Sequence, residues 1–484
     1  MIDQLFALFP GNVVSKAWAR EPELRALPRY AAEHLLVKFA PHGESTALQR
    51  LRGFLGRHCL PATAPENLQE HLARQGKAVA FARLTIRTDW EKGHLAGELS
   101  AWPDQKFSVP FEIGERFPQL FYGMWGSIRL ERGERGRIVV SEFVPVRVPQ
   151  ARFDQFVRAR EHFTEEQWMD ILLQGMGTDP AGLSSEGKLA CLARLAPLVE
   201  RGLHLVDAPL PGTAGLEGLE SFSPAALAIS HPAALRSSLV ANAILRTPDL
   251  GSAYEVVVLD HLQQLPWQDP NQGARAVAQL FGTLENRDGG RRVVSSVVFF
   301  VRAARRNGGA AQAPLPPWLA RFSDHIAAYL NAGDVCNGAL PPYSGPGLPA
   351  DYLAEMFARL RPRSLQFELE EWLPRDLAYP DLRAVRRLTS GLLKLLYPGE
   401  CWPADAVQKL AAFAVDVRRA VAKLTEIPQT QPATETPPGA DSAQASSTRT
   451  EGAAVEREEP IPLLPPEIAR SEHLPGDTHD PQSS

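Results

Sequence analysis

The stretch Leu203–Pro224, LHLVDAPLPGTAGLEGLESFSP, decides how the chain is to be read. Leu203, Leu205 and Val206 make a short apolar strand; a Gly- and Pro-rich loop follows, then a helix start. This is the layout of a phosphate-binding loop, in which backbone N–H groups and a helix N-terminus face an anion. Such a loop needs a Lys followed by Ser or Thr after its last glycine, to reach the β- and γ-phosphates and to hold Mg²⁺. Gly215 and Leu216 stand at those places. The loop keeps the shape of a nucleotide site and lacks its cation and its hydroxyl.

Downstream, the pattern is that of an α/β core. Ala226–Ser230 is a second strand. Glu255–His261 (EVVVLDH) is a third, almost wholly apolar before Asp260, as a buried parallel strand should be. Val293–Val301 is a fourth, and Gly273–Glu285 is one of the helices between them. Alternating strands and helices indicate a mostly parallel sheet. Four apolar residues and then an acid complete the two-part signature of a P-loop NTPase, with Asp260 at the Mg²⁺ position. The next residue, normally a Glu that activates water, is His261. Phosphoryl transfer depends on positioning and charge stabilisation, so three such losses predict a site that does not turn over. The rival reading is a weak ATP-driven translocase built around Thr213, Asp260 and His261.

Upstream, Phe163–Met176 reads as a helix with Thr164 as N-cap and Glu165 and Glu166 in its first turn. Residues 1–75 read as helical, with amphipathic Ala31–Phe39 and Ala47–Leu60. Residues 77–148 change period. Lys77–Thr88 alternates, with Ala80, Ala82, Leu84 and Ile86 on one side and Phe81, Arg83, Thr85 and Arg87 on the other. Phe121–Val148 adds two strands joined by a Gly- and charge-rich hairpin. A small OB-like barrel or sandwich fits, and would place DNA on one face. Lys16, Arg20, Arg29, Arg50, Arg57, Arg83 and Arg87 are the candidate phosphate contacts. The bland alternative is a core Phe81 and ordinary surface arginines.

The charge is unevenly placed. The formal net charge is −5, but residues 428–484 hold 3 basic and 10 acidic residues, while residues 1–150 hold 20 basic and 16 acidic. An N-terminal excess of positive charge permits nucleic-acid contact. Residues 428–484 are rich in Pro, Ser, Thr, Glu and Ala, which predicts disorder. Glu459–Ile468 is the tail's one apolar patch, a candidate docking peptide. Cys59, Cys191, Cys336 and Cys401 form no CxxC pair, so no metal site or disulfide framework is expected, and reduced thiols in the cytoplasm are. No apolar run approaches the ~20 residues that span a bilayer, and the N-terminus lacks a signal-peptide pattern.

The chain resembles BrxL, the Lon-protease-like AAA+ family of BREX phage-defence systems. The resemblance rests on Leu5–Arg20 (LFALFPGNVVSKAWAR), Leu27–Leu36 (LPRYAAEHLL), Phe163–Leu173, Leu192–Leu205 and above all Asp381–Glu400 (DLRAVRRLTSGLLKLLYPGE). The family's GPRGTGKS loop aligns without gaps. Pro209 stands at its first Gly, Gly212 and Thr213 match, and Gly215 and Leu216 replace Lys and Ser. Its FDE becomes Leu259-Asp260-His261. The resemblance implies sensor or subunit-interface roles for Arg302, Arg321, Arg386 and Arg387. It also implies ring assembly around DNA and contacts with other defence proteins. Family members continue into a Lon-type protease-like domain, where this chain has its acidic tail. Neither ATPase nor protease activity is therefore expected, and no catalytic residue, cofactor or metal. The expected fold is α/β with an α+β N-terminal part. It comprises a DNA-binding helical and β module (1–150), a degenerate AAA+ core (151–310), a helical lid (311–427) and a disordered tail (428–484).

Overall fold

The computed structural model describes residues 2–39, 45–59, 65–89, 94–100, 102–133, 136–148, 152–208, 218–229, 253–260, 270–285, 287–288, 291–292, 295–301, 304–306, 309–311, 317–331, 342–369, 372–375 and 377–424. Residues 1–429 form one compact unit. The tail with Glu459–Ile468 lies outside the described residues.

The N-terminal helices are α1 (Ile2–Leu8), α2 (Arg29–Phe39), α3 (Ser45–His58) and α4 (Pro65–Gln75). They lead into a closed five-stranded barrel of β1 (Lys77–Asp89), β2 (His94–Leu99), β3 (Trp102–Val109), β4 (Met124–Arg132) and β5 (Ile138–Pro145). Its order is β1-β2-β3-β5-β4, antiparallel except where β3 meets β5 in parallel at Ser108 and Val139. The alternation in β1 sends Ala80, Ala82, Leu84 and Ile86 into the interior, where none is exposed. Gly97 faces them. A Cβ there would lie 2.8 Å from Val109 Cγ2 and 3.0 Å from Leu84 Cδ1, so only glycine fits this close approach. The outward Phe81 is also buried, against Phe54 of α3 and Trp125 of β4, and joins the barrel to the helices.

The chain continues through α5 (Phe153–Arg160), α6 (Glu165–Gly175) and α7 (Ser185–Ala193). Thr164 caps α6 as a full capping box: its hydroxyl accepts from the Gln167 N–H, and its own N–H donates to the Gln167 side chain. The parallel sheet follows. Its strands are β6 (His204–Ala208), β7 (Ala226–Ile229), β8 (Val256–Asp260), β9 (Ser296–Phe300) and β10 (Ile326–Asn331), in the order β10-β6-β9-β8-β7. One face (Leu205, Val258, Val298, Ala328) packs on the large core shared with α6, α7 and the C-terminal helices. The other (Val206, Val257, Leu259, Val297, Phe299) packs on α8 (Pro270–Glu285), Trp318 and Phe322. Burial on both faces explains the unbroken Val, Leu and Phe runs.

The edge strand β10 corrects the sequence reading, which placed Ile326–Asn331 in a purely helical region. Its run IAAYL is apolar on both sides, so it carries no period, and its alanines favour helix. The helices α9 (Ala350–Leu360), α10 (Tyr379–Leu396) and α11 (Ala406–Arg419) do form as the periodicity predicts.

Candidate functional site

The carboxyl edge of the sheet is where a βα loop would receive an anion. Residues 209–217 leave β6 there; Pro209, Gly212, Thr213, Gly215 and Leu216 lie outside the described residues, as do His261 and Arg302. What flanks them is well defined. Phe300 of β9 is in register with Asp207 on one side and Asp260 on the other. Two strand spacings thus separate the two acids, about 10 Å between backbones. Asp207 is committed: it is buried and accepts from Arg194 Nε at 2.9 Å. It lines a cavity of about 30 Å³ whose other walls include Leu205, Phe222, Val258 and Val298. A space so small and apolar holds neither nucleotide nor hydrated metal. Among the described residues no cluster of His, Cys, Asp and Glu could hold a metal ion.

After the loop, the chain makes only one helical turn, Leu219–Phe222. One turn sums little dipole, so it offers little of the field with which a long helix attracts phosphate. Glu220 sits in that turn, with its carboxylate folded against Gly218.

Three arginines of the sensor and interface reading lie among the described residues. Arg387 donates to the carbonyl of Gly202, ahead of β6, and so is tied to the amino end of the sheet. The five residues of β6 separate it from the loop by about 15 Å. Arg387 thereby ties α10 to the sheet. Arg386 is exposed and lies over the Phe367 ring at 5.6 Å. Arg321 is exposed on the 3-10 segment before β10.

Of the residues offered to DNA, three are hydrogen-bonded to the protein's own groups, Lys16 buried and Arg20 and Arg29 part-buried. Lys16 is 1% exposed and donates to Glu33 (2.7 Å) and to the carbonyls of Leu348 (2.7 Å) and Gly175 (3.0 Å). Arg29 donates to Glu33 (2.9 Å) and to the Gly175 and Met176 carbonyls. Arg20 donates to the Tyr343 (3.0 Å) and Gly177 (3.1 Å) carbonyls. These cations gather at the C-terminus of α6, where the helix dipole favours them. They fasten the N-terminal segment to the core. Burial pulls the Lys16 ammonium down to about 8, against the opposing pull of Glu33. Burial would raise Glu33, but Lys16 and Arg29 outweigh it and hold the carboxyl below its usual value. Residues 17 and 317 apart meet at Glu33, since Ala350 N–H also donates to it at 2.6 Å; no local pattern announces that.

Arg83 is half-buried and donates to the Tyr122 carbonyl at 2.7 Å. Arg50, Arg57 and Arg87 are exposed. Arg50 and Arg57 share α3, and Arg87 lies near the end of β1.

A parallel sheet of order β10-β6-β9-β8-β7, with a loop after β6 and an acid ending β8, fits a P-loop AAA+ core. Two family profiles match the chain: "Lon-like protease BrxL-like, ATPase domain" over residues 138–432 and "BREX system Lon protease-like protein BrxL N-terminal" over residues 7–132. The chain belongs to the BrxL family. It is 23% identical over 437 residues to a Lon-like protease BrxL of Escherichia coli and 22% identical over 443 residues to one of Bacillus cereus. These alignments cover 85% and 86% of this chain but 63% and 65% of the relatives' length. A crystal structure of a full-length MCM homolog from Methanopyrus kandleri aligns over 80% of this chain and 97% of its own. Its identity is 12% and its TM-score 0.38.

Proposed function

We propose that this chain is a non-catalytic, BrxL-type pseudo-AAA+ subunit of a prokaryotic antiviral defence system that binds DNA through its N-terminal module. The observation that carries the first part is chemical. Gly215 and Leu216 occupy the places of the lysine and the hydroxyl in a loop that aligns with the family's without gaps, and His261 follows Asp260 at the place of the catalytic glutamate. The single turn after the loop and the Glu220 carboxylate within it support the same reading. Asp260 alone keeps its place at the end of β8. A lone carboxylate supplies neither charge stabilisation nor positioning for phosphoryl transfer.

DNA binding is supported by the barrel. The order β1-β2-β3-β5-β4 with one parallel closure supports an OB-like reading of the barrel, a scaffold that receives oligonucleotides on one face. Arg50, Arg57 and Arg87 are the exposed cations of the candidate set that remain available for phosphates. Assembly into a homo-oligomer, argued from the family, and contact with other defence proteins, argued from the tail's apolar patch Glu459–Ile468, are further parts of the proposal.

Gel shifts of a short duplex and a single strand across a salt series test the DNA reading. Affinity should fall linearly on logarithmic axes with rising salt. No shift at low salt would leave only a protein scaffold. The rival translocase is favoured by the survival of Asp260 beside His261; only that rival predicts DNA-stimulated hydrolysis lost in His261→Ala.

A further inference from the structure

A cleft of about 390 Å³ opens between the segment 16–33 and Gly177, just beyond the end of α6. Its walls carry Lys16, Arg20, Arg25 and Arg29 against one carboxylate, Glu33, so the lining has four formal positive charges and one negative. Glu33 already accepts from Lys16, Arg29 and the Ala350 N–H. The carbonyls of Gly175 and Met176 help to orient Lys16 and Arg29, and those of Gly177 and Tyr343 orient Arg20. Arg29 uses Nε, one Nη1 hydrogen and one Nη2 hydrogen in these bonds, of the five N–H groups a guanidinium has. Arg25 is exposed at the rim.

The floor is built for close approach. Gly177 has φ +76°, and a Cβ there would lie 3.0 Å from both terminal nitrogens of Arg29. Among the neighbouring acids, Glu21 and Glu23 pair with Arg52, and Asp351 with His34. The Arg29 N–H also donates to Ser221 Oγ at 3.0 Å, in the turn that follows residues 209–217.

We propose that this cleft binds a phosphoryl group carried by a ligand of about one nucleotide in size, free or at the end of a nucleic-acid strand. A volume of about 390 Å³ lies in the range of small-ligand sites and is too small for duplex. Guanidinium groups suit phosphate oxygens because their paired N–H groups match them in a plane. The site is separate from the Arg50 and Arg57 surface, and it requires neither Mg²⁺ nor hydrolysis.

The test is calorimetric titration of the full chain at low ionic strength without Mg²⁺. The probes are inorganic pyrophosphate and an oligothymidylate with or without a 5′-phosphate. Arg25→Gln alters an exposed side chain and leaves the buried ion pairs intact. Gly177→Ala presses on Arg29 from below. Loss of one charge-assisted hydrogen bond predicts that each variant weakens pyrophosphate binding about fivefold or more. Arg50→Gln should leave it unchanged. Sensitivity confined to the 5′-phosphorylated oligonucleotide would assign the phosphoryl group to a strand end. No saturable binding of any probe, or equal affinity in Arg25→Gln, overturns the proposal. Loss of duplex binding in Arg50 and Arg57 variants with pyrophosphate binding intact would bear on the barrel face alone.

Discussion

Glu33→Gln should be among the most damaging single changes in the N-terminal half. The carboxylate is fully buried and accepts from Lys16 at 2.7 Å, Arg29 at 2.9 Å and the Ala350 N–H at 2.6 Å. Removing its charge leaves the buried ammonium of Lys16 without its counter-ion. Breaking a buried pair from one side costs about 3–5 kcal/mol, because the remaining charge has lost its water and its partner. At the shallow slope expected for a large chain, roughly 2 °C per kcal/mol, the first unfolding transition should drop by about 6–10 °C. Arg52→Ala is the internal control. Its pairs with Glu21 and Glu23 are exposed, so its cost should stay below about 1 kcal/mol. Scanning fluorimetry of both variants beside the parent chain measures the difference. A Glu33→Gln transition within about 2 °C of the parent, the shift expected for only 1 kcal/mol, would refute the idea that this ion pair clamps residues 16–33 to α6 and α9.

The remaining predictions concern acid stability, a helix cap and nucleic acid. His204 is buried, accepts from the Val297 N–H at Nδ1, and is pulled down to about 3, first by burial and then by Arg387. Below pH 6.5 the unfolded chain takes up a proton that the folded chain refuses. Stability should therefore fall by up to about 1.4 kcal/mol per pH unit from 6.5 towards 3. His204→Asn should flatten that limb in fluorimetric pH scans, and an unchanged limb would contradict the assignment. Thr164→Ala removes the capping box and should cost about 1 kcal/mol, read as a shift in urea midpoint. Arg50→Ala with Arg57→Ala should weaken DNA binding and lower the salt slope by about 1 for each phosphate no longer neutralised. An unaltered slope would move the DNA face elsewhere on the barrel.

Much of the sheet was legible from its strands' composition. β6, β7, β8 and β9 fall within one to three residues of the runs that suggested them, because burial on both faces demands unbroken apolar sequence. β10 was not legible, since IAAYL lacks both a turn signal and a two-residue period. Of the barrel, β1 announced itself by alternation. β2 and β3 did not, because Gly97 and the Pro and Asp of β3 interrupt the pattern. The basic residues of the first thirty positions misled for a different reason. A lysine buried by Glu33 and two carbonyls looks, in sequence, like any surface lysine; only the meeting of residues 16, 33, 175 and 348 distinguishes it. Arg387 shows the same limit, as the i,i+3 pattern that puts it on α10 says nothing about which end of the sheet it reaches.

On the proposed pseudo-ATPase reading, the chain should be inert towards nucleotide. Hydrolysis of Mg-ATP by the purified chain, with and without DNA, tests this most directly when the Asp260→Ala variant is run in parallel. One background rate is expected for both proteins under every condition. A higher rate in the parent chain that vanishes in Asp260→Ala would contradict the pseudo-ATPase reading.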